Sequence, residues 1–338
     1  MQSFNPNPEH LMNAVYSYPF PEVRSILSTL ELPPEFMLNT LTANQAQSML
    51  EAYNFTPKLL LPEHVDGTVN LDELHIPIIE RIRKRQAAVI SGIDKFEYAY
   101  PQHGSSNAMF SLLAEWKAHN KLSSIAILPG EYEGYVAYAN ALKIPVHVYD
   151  SFEDAPVDPK QYWFVSNPNA ANGNWLDSTK WQKFIDSGRP IVVDAAYVGL
   201  TVDGFLEVNS PNIHAVLTSP SKIFGVFRHR YTGITYTREP VQAMYGSKWF
   251  KDVPALLDTL KLYESFNPNE LPQKYKSLQE FICKNLVQVV GADITPSDVI
   301  LLGHSEQSVG QTMQPFNRAG VLRLGLTKLF EDAEEFPV

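Results

Sequence analysis

A lysine lies among small polar residues in the stretch 219–230, S-P-S-K-I-F-G-V-F-R-H-R. Ser219 and Lys222 follow the apolar run 213–217 directly, and Arg230 comes shortly afterwards. A lysine amine can form a Schiff base with an aldehyde when burial or nearby positive charge lowers its pKa, and an arginine can hold a phosphate. The stretch is therefore either an ordinary solvated basic turn or an amine nucleophile beside an anion site.

A second polar group follows the apolar run in P-I-V-V-D-A-A-Y. Asp194 ends this run, and Tyr197 lies three residues later. A carboxylate with a phenol close by could hold a protonated heterocyclic nitrogen and a neighbouring oxygen. Taken alone, the pattern is more typical of a capped turn in which Asp194 accepts backbone N–H bonds and Tyr197 packs.

A third group precedes a helical pattern in Q-H-G-S-S-N-A-M. Gly104 would let the backbone approach a ligand closely, Ser105 and Ser106 offer hydroxyls, and the free N–H groups of a helix start favour an anion. Tyr132, in P-G-E-Y-E-G-Y, could lie flat against an aromatic ring. Each feature alone also fits a serine N-cap or ordinary packing.

These residues follow strands that alternate with helices. Apolar runs predict strands at 124–128, 145–149, 162–166, 190–194, 213–218 and 231–237, and helical periodicity predicts helices at 108–119, 134–142 and 178–186. Such alternation predicts a mainly parallel sheet with helices on both faces. In open sheets of this kind, ligands bind outside the carboxyl ends of the strands.

The chain ends differ from this middle part. Residues 1–80 are Pro-rich, with short helical pieces at 25–30 and 43–52, and a helix is predicted at 78–88. Beyond residue 240 the patterns predict helices at 253–263 and 273–290 and strands at 299–303 and 321–326. We expect three parts: an N-terminal arm with part of a small domain (1–80), a large ligand-binding domain (81–240) and a small α+β domain (241–338).

Composition limits the classes of function. The 338 residues are 44% hydrophobic, enough for a large core, and the formal net charge of −10 argues against a nucleic-acid partner. Cys283 is the one cysteine, which excludes an internal disulfide and a Cys-rich zinc site. The nine histidines lack ligand spacing, so we expect no metal. Without an apolar signal or bilayer-length run, we expect a cytoplasmic protein with no membrane partner.

The order of these motifs resembles one enzyme family. Gly104-Ser105-Ser106, Tyr132, Asp194-x-x-Tyr197, Ser219-x-x-Lys222 and Arg230 together resemble the pyridoxal-phosphate enzymes of the aspartate aminotransferase superfamily. The resemblance spans about residues 95–240 and reaches the C-terminal part through G-V-L-R-L-G-L. It implies an α/β protein of the PLP transferase fold type I, in which helices sandwich a mainly parallel central sheet and a smaller α+β domain is attached.

The resemblance also implies residue roles. Lys222 would carry the Schiff base to pyridoxal 5′-phosphate, Asp194 would keep the pyridine nitrogen protonated, and Tyr197 would contact the ring hydroxyl. The other implied cofactor contacts are Gly104, Ser105, Ser106, Ser219 and Arg230 at the phosphate and Tyr132 on the ring, with Arg323 at the substrate α-carboxylate. The chain has N-P-N-A-A-N-G where the family has N-P-T-G, so Asn167 or Asn169 is the candidate for a further ring-hydroxyl contact.

The implied function is that of a homodimeric aminotransferase acting on a small-molecule amino acid. A PLP-dependent lyase, decarboxylase, racemase or cyclase is the alternative, because the same apparatus supports all of them. S-P-S-K also fits the nucleophile motif of serine β-lactamases, but Tyr138-Ala-Asn140 precedes it and no K-T-G follows. A binding protein of the same fold without turnover is a further alternative, which the intact Lys, Asp and Tyr disfavour.

Overall fold

Three sheets organise the chain in a computed structural model that describes residues 6–13, 18–30, 41–52, 59–226, 232–249, 251–307 and 311–333. The strands are β1 Ile90–Ser91, β2 Tyr98–Gln102, β3 Ser124–Ile127, β4 Val146–Val148, β5 Gln161–Ser166, β6 Ile191–Asp194, β7 Leu206–Glu207, β8 Ile213–Thr218, β9 Gly233–Thr237, β10 Thr295–Pro296, β11 Leu302–Ser305, β12 Asn317–Arg318 and β13 Val321–Gly325. The α-helices are α1 Pro21–Leu27, α2 Ala43–Ala52, α3 His75–Gln86, α4 Gly104–Ala118, α5 Glu133–Ala141, α6 Ser178–Ile185, α7 Pro220–Ile223, α8 Val253–Ser265, α9 Glu270–Val290 and α10 Thr327–Ala333.

The largest sheet has seven strands in the order β2-β9-β8-β6-β5-β3-β4. Strands β8, β6, β5, β3 and β4 are parallel, whereas β9 runs antiparallel to both of its neighbours, β8 and β2. The predicted mainly parallel sheet is therefore confirmed. Sequence patterns did not predict β2, an edge strand whose first three residues are only partly buried and lack a clear apolar alternation.

Helices cover both faces of this sheet. Along β5, Trp163 and Val165 belong to one hydrophobic core, whereas Tyr162 and Phe164 belong to a second core on the opposite face. Successive side chains of a strand point to opposite faces, so a strand that is apolar at every position must be covered twice. The first core includes residues of α3, α6 and α8, and the second includes residues of α4 and α5. The predicted two-sided cover is confirmed.

A second, antiparallel sheet has the order β10-β11-β13-β12. Leu322 and Leu324 of β13 point into the first core, so Arg323 between them faces the other side.

The N-terminal segment crosses this region, because Met12 forms an antiparallel bridge with Gly325. Farther along, Gly225 adopts φ +69°, and a Cβ there would lie 2.2 Å from the carbonyl carbon and oxygen of Tyr18. The segment at Tyr18 therefore touches the chain just after Lys222.

The strand predicted at 299–303 is wrong in its position. Residues Val299 to Leu301 form a buried turn, and β11 begins only at Leu302. The Leu302 amide closes the turn by donating to the Val299 carbonyl oxygen at 3.0 Å. The Gln279 side-chain amide nitrogen also lies within hydrogen-bond distance of the carbonyl oxygens of Ser297, Val299 and Leu302, at 2.9, 3.1 and 2.8 Å. An apolar run buried as a turn has the same composition as a strand, so its sequence pattern does not distinguish the two.

Other boundaries differ by a few residues. The helix predicted at 108–119 begins four residues earlier, at Gly104, because the polar G-S-S-N segment carries no apolar periodicity. The helical piece predicted at 25–30 is α1, Pro21–Leu27. Among the described helices, none is both long enough and apolar enough to cross a bilayer.

Candidate active site

The polar residues that follow four neighbouring strands lie at one edge of the large sheet. Strands β8, β6, β5 and β3 are adjacent and parallel, so their carboxyl ends meet at the same edge. Asp194 is the last residue of β6, and the segments that follow β8, β5 and β3 contain Lys222, Asn167 and Tyr132 respectively. The structure thus brings together residues that are up to 90 positions apart in the sequence.

The start of α4 forms the first wall of the site. The helix begins at Gly104, its N-cap His103 makes no side-chain capping bond, and its first turn contains no acidic residue. Ser105 and Ser106 lie in that turn, and the Ser106 hydroxyl is 3.3 Å from the hydroxyl of Tyr132. A helix start with uncapped N–H groups and no competing carboxylate is suited to bind an anion.

The position of α4 depends on a close backbone approach at Gly233, the first residue of β9. A Cβ at Gly233 would lie 2.7 Å from the Thr218 carbonyl oxygen and 2.9 Å from the Gly104 Cα. Both contacts are with backbone, which cannot move aside as a side chain can. The absence of a side chain at Gly233 therefore lets the start of α4 lie against the end of β8, where the lysine loop begins.

Gly233→Ala should destabilise the fold by about 1–3 kcal/mol and displace the start of α4, because the new methyl group overlaps two backbone atoms. We expect weaker binding of a phosphate-bearing ligand as well as a lower free energy of unfolding in urea. Gly188→Ala is the matched control: Gly188 has φ +77° with open space around it and precedes β6 at the opposite sheet edge. Gly188→Ala should lower the free energy of unfolding by roughly 1 kcal/mol without changing the affinity for the phosphate-bearing ligand. Equal ligand affinity in wild type and Gly233→Ala would contradict this account of the wall.

Asp194 is a buried carboxyl group at the end of β6. Its Oδ1 accepts from the Ala196 amide at 3.0 Å, and its Oδ2 accepts from the Tyr135 hydroxyl at 3.1 Å. Burial raises the pKa of Asp194 to about 6, while the two hydrogen bonds and the charge of Lys222 act in the opposite direction. At neutral pH the group is mainly an anion, held in place by donors on both oxygens.

Lys222 lies in α7, the short helix that follows β8. Ser219 caps this helix by accepting from the Ser221 amide at 3.3 Å, and Pro220 occupies its first position. Burial lowers the pKa of Lys222 to about 8, the charge of Arg323 lowers it further, and Asp194 opposes both effects. The site therefore contains an amine that is far more easily deprotonated than an exposed lysine.

Arg323 brings a second cation to the site from β13. Only 3% of the residue is exposed, and its Nη2 donates to the Tyr197 hydroxyl at 3.3 Å. Its Nε and Nη1 have no hydrogen-bond partner among the described residues. Leaving buried guanidinium N–H groups without acceptors is costly, so this pair of donors is suited to bind a carboxylate in two-point fashion.

Both candidate asparagines are tied into the loop after β5. Asn167 Oδ1 accepts from the Leu176 amide at 3.1 Å, and Asn169 Oδ1 accepts from the Ala171 amide at 2.7 Å. Each amide oxygen is therefore engaged locally, and each side chain could approach a ligand only as a donor through its amide nitrogen. The choice between the two asparagines stays open.

Sequence reasoning missed one buried acid at the same edge. Glu131 accepts from both the amide and the hydroxyl of Ser166, and the Ser166 hydroxyl oxygen in turn accepts from the Ala170 amide at 2.8 Å. Burial raises the pKa of Glu131 to about 8, and the charge of Asp194 adds to this effect. The residue links the loop after β3 to the loop after β5. Its position directly before Tyr132, behind a predicted strand, was the available signal.

Glu131→Ala should lower the free energy of unfolding by about 1–3 kcal/mol, because it leaves the Ser166 amide and hydroxyl without their buried acceptor. Glu131→Gln keeps one acceptor oxygen, so its free energy of unfolding should fall less than that of Glu131→Ala. Urea unfolding of both variants measures the difference, with Ser166→Ala as a control that removes the hydroxyl alone. If Glu131→Ala is as stable as the wild type, the hydrogen bonds between Glu131 and Ser166 contribute nothing to the free energy of unfolding.

One expected phosphate contact is not described. Arg230 lies in 227–231, outside the described residues. The other residues named from sequence as candidates lie at the sheet edge or on the adjacent β13: Gly104, Ser105, Ser106, Tyr132, Asn167, Asn169, Asp194, Tyr197, Ser219, Lys222 and Arg323.

Solved structures share this architecture at low sequence identity. An aminotransferase from Staphylococcus aureus matches with a TM-score of 0.66 and 15% identity, covering 96% of this chain and 92% of its own. An L-threonine-O-3-phosphate decarboxylase from Porphyromonas gingivalis matches with a TM-score of 0.56 and 14% identity, covering 77% of this chain and 89% of its own. A histidinol-phosphate aminotransferase from Clostridium acetobutylicum matches with a TM-score of 0.55 and 13% identity, covering 75% of this chain and 87% of its own.

Sequence comparison adds no nearer relative, since no protein-family model and no curated protein matches the chain. The structural matches are under 25% identical, so they establish the architecture and leave the reaction to the site. The expected fold is confirmed: the chain has the fold type I architecture of the pyridoxal-phosphate-dependent, aminotransferase-like enzymes.

Proposed function

We propose that this protein is a pyridoxal-phosphate-dependent enzyme that transfers the amino group of an amino acid to a keto acid. One observation carries the proposal: a buried amine with a lowered pKa, Lys222, lies within electrostatic reach of a buried carboxylate, Asp194, and a buried arginine, Arg323. Strongly shifted groups that converge at a strand edge are typical of catalytic sites. A non-catalytic binding protein has no need of such an amine.

The residues present fit the cofactor. The uncapped start of α4, with Ser105 and Ser106, would hold the phosphate together with Ser219 and Arg230. The anionic Asp194 would pair with the protonated ring nitrogen, and Tyr197 with Asn167 or Asn169 would contact the ring hydroxyl. Tyr132, next to Ser106, would lie on the ring.

Bound pyridoxal phosphate supplies an aldehyde for a covalent link to an amine and an electron-withdrawing ring. The chain's own groups do the rest. The Lys222 amine would be a base whose pKa of about 8 suits removal of a proton from the substrate α-carbon near neutral pH. Arg323 binds the substrate α-carboxylate and fixes which α-bond is exposed to the base.

The environment of Arg323 favours proton transfer over loss of carbon dioxide. A carboxylate paired with Nε and Nη1 of the buried Arg323 guanidinium, which have no partner among the described residues, is stabilised as an anion, whereas carbon dioxide is neutral and keeps little of that attraction. The lyase, racemase and cyclase reactions also begin by proton removal, so they remain the alternatives that product analysis must separate.

We also propose a homodimer, as the family resemblance implies, because residues from a second copy would complete the site. The division into 1–80, 81–240 and 241–338 belongs to the same proposal. It is supported by two separate sheets: Arg323 of the second sheet contacts Tyr197, which lies in the turn after β6 of the first.

The decisive experiment incubates the protein, reconstituted with pyridoxal phosphate, with each common amino acid and several keto acids, and identifies products by mass spectrometry. We expect a new amino acid and a new keto acid in equal amounts, with a change in the absorbance of the cofactor when donor alone is added. Carbon dioxide, ammonia or the opposite enantiomer as the main product would assign one of the alternative reactions. A colourless protein without a response to any donor would overturn the proposal.

A further inference from the structure

A histidine on the second sheet lies beside Arg323. His304 of β11 pairs directly with Arg323 of β13, and directly paired residues project from the same face of a sheet. This is the face from which Arg323 reaches the Tyr197 hydroxyl. His304 is only partly exposed. It is therefore a titratable side chain next to the residue proposed to bind the substrate α-carboxylate, and the chemistry proposed above does not use it.

The imidazole ring of His304 joins the second sheet to the loop after β5, residues 167–176. Its Nδ1 lies 3.1 Å from the Ser297 hydroxyl oxygen, and its Nε2 lies 3.4 Å from the Asn174 side-chain nitrogen. The Ser297 hydroxyl reaches the same loop, because it donates to the Asn172 carbonyl oxygen at 2.6 Å. One histidine and one serine thus connect the second sheet to a loop of the large sheet.

The surrounding groups determine where the imidazole carries its hydrogen. Ser297 gives its one hydroxyl hydrogen to the Asn172 carbonyl, so its oxygen can only accept from His304 Nδ1. Asn174 Oδ1 accepts from the Asp298 amide at 2.9 Å, so the Nδ2 donor of Asn174 faces His304 Nε2. The ring that fits is neutral, with a hydrogen on Nδ1 and a lone pair on Nε2. Protonation of Nε2 would set two donors against each other.

Burial favours this neutral ring. It lowers the pKa of His304 from 6.5, whereas the charges of Glu306 and Asp298 act in the opposite direction. Arg323 is the charged group on the facing strand β13, and the paired residue of β10 is Thr295. The loop after β5 contributes an uncharged amide.

The loop held by His304 also carries the two candidate contacts to the ring hydroxyl. The Asn169 amide donates to the Asn174 carbonyl oxygen at 2.8 Å, so the place of Asn169 depends on Asn174. Asn167 lies two residues before it. On its other side, His304 is the strand partner of Arg323. The histidine therefore lies between the candidate ring contacts and the candidate carboxylate contact.

We propose that His304 is a positioning residue: as a neutral imidazole it ties the loop after β5 to the second sheet, and so holds Arg323 in place for the substrate α-carboxylate. The inference rests on the proposed function, which gives Arg323 its ligand. Without the tie, the second sheet can shift against the large sheet, and a carboxylate binds less tightly. Lys222 and Asp194 belong to the large sheet and keep their geometry, so the effect falls on KM and spares kcat.

The kinetic test compares His304→Ala and His304→Gln with the wild type in the half-reaction of the reconstituted protein. The donor is L-alanine, or the amino acid that the product analysis above identifies. His304→Ala should raise KM about 5- to 30-fold, the effect of losing two hydrogen bonds, and leave kcat within about threefold. His304→Gln should recover most of the loss, because its amide oxygen can accept from Asn174 in place of Nε2.

His214→Ala is the matched control. His214 is also a partly exposed histidine with a pKa lowered by burial, and its ring lies 5.2 Å from that of Tyr162. It is the second residue of β8, at the sheet edge opposite the candidate site. His214→Ala should therefore leave KM unchanged. A rise in KM equal to that of His304→Ala would show a general loss of stability and overturn the positioning role.

The pH dependence of KM supplies a further readout. The neutral form of His304 makes both hydrogen bonds, and its pKa in the folded protein lies below 6.5. The tie is therefore complete above pH 6.5 and is lost as the pH falls through the lowered pKa. The KM of the wild type should rise in this acid range more steeply than that of His304→Gln, which has no titrating group at this position. Parallel profiles in the two proteins would contradict the inference.

A last measurement does not depend on turnover. Nitrogen NMR of protein containing isotope-labelled histidine, with His304→Gln to identify the signal, should show the neutral ring with its hydrogen on Nδ1. Asn174→Asp should raise the pKa of His304 above 6.5, because a carboxylate oxygen then faces Nε2. A neutral ring with its hydrogen on Nε2 would overturn the inference. If no amino acid reacts, the proposed function fails, while the NMR spectra still decide whether His304 joins the two sheets.

Discussion

Lys222→Ala is expected to abolish turnover and the yellow colour of the reconstituted protein while leaving the chain folded. The loss should be at least 10²–10⁴-fold, roughly the contribution of a positioned acid–base group, and loss of covalent attachment adds to it. Folding should survive because Lys222 sits in the four-residue helix α7, whose start is fixed by the Ser219 cap and by Pro220. The measurements are half-reaction rates, the visible spectrum, and circular dichroism with urea unfolding.

Borohydride reduction supplies a readout independent of activity. It should fix the cofactor to the peptide that contains Lys222 in the wild type and in Lys121→Ala, a control whose lysine pairs with Glu239 away from the site. It should fix nothing at that position in Lys222→Ala. Cofactor recovered on another lysine of the wild type would remove Lys222 from its role.

The pH dependence of cofactor attachment follows from the same amine. Only the neutral amine attacks an aldehyde, and burial lowers the pKa of Lys222 from 10.5 to about 8. The rate of colour formation should therefore rise through pH 7–9 and level off near pH 9, because the neutral fraction is about a tenth at pH 7 and nearly complete a unit above the pKa. A rate that keeps rising to pH 10 or beyond would indicate an ordinary, solvated lysine.

Asp194→Asn should lower kcat/KM by roughly 10²–10³-fold, by analogy with the loss of a single preorganised electrostatic partner. The variant removes the buried negative charge that would keep the ring nitrogen protonated, while asparagine retains the size of the side chain and an oxygen for the Ala196 amide. The main effect should fall on kcat for the half-reaction, which stopped-flow absorbance measures.

Tyr135→Phe is the matched control for that variant. It removes the hydroxyl that donates to Asp194 Oδ2 but leaves the charge, so it should cost about tenfold, in line with one hydrogen bond to a charged group. Equal losses in Asp194→Asn and Tyr135→Phe would mean that orientation, and not charge, is the contribution of this residue. Asp194→Asn with activity within tenfold of the wild type would contradict a protonated ring.

The strands of the large sheet were predictable because local composition determines them. Strand β8 was predicted to the residue, and β5 and β6 within one residue, since runs of buried apolar side chains are a feature of the sequence itself. An apolar run can fold either as a strand or as a buried turn, and its composition does not distinguish the two. The prediction from the sequence is wrong at such a run. The buried turn that begins at Val299 has the apolar composition of a strand, so its local pattern predicts a strand there although β11 begins only at Leu302.

The same limit applies to the site. Lys222, Asp194 and Tyr132 could be singled out because each follows a strand, and parallel strands bring their carboxyl ends to one edge. Glu131 carries no such local signal, because a glutamate in a loop is normally solvated and only the fold buries it against Ser166.

Residue types, strand ends and their order along the chain are local properties, and they were enough to predict the α/β class and the chemistry of a lysine paired with an acid. Burial, hydrogen-bond partners and the meeting of two sheets depend on contacts between distant segments. These contacts lower the pKa of Lys222 and leave Nε and Nη1 of Arg323 without an acceptor among the described residues. No local pattern encodes such contacts, because each depends on which segments pack together once the whole chain has folded.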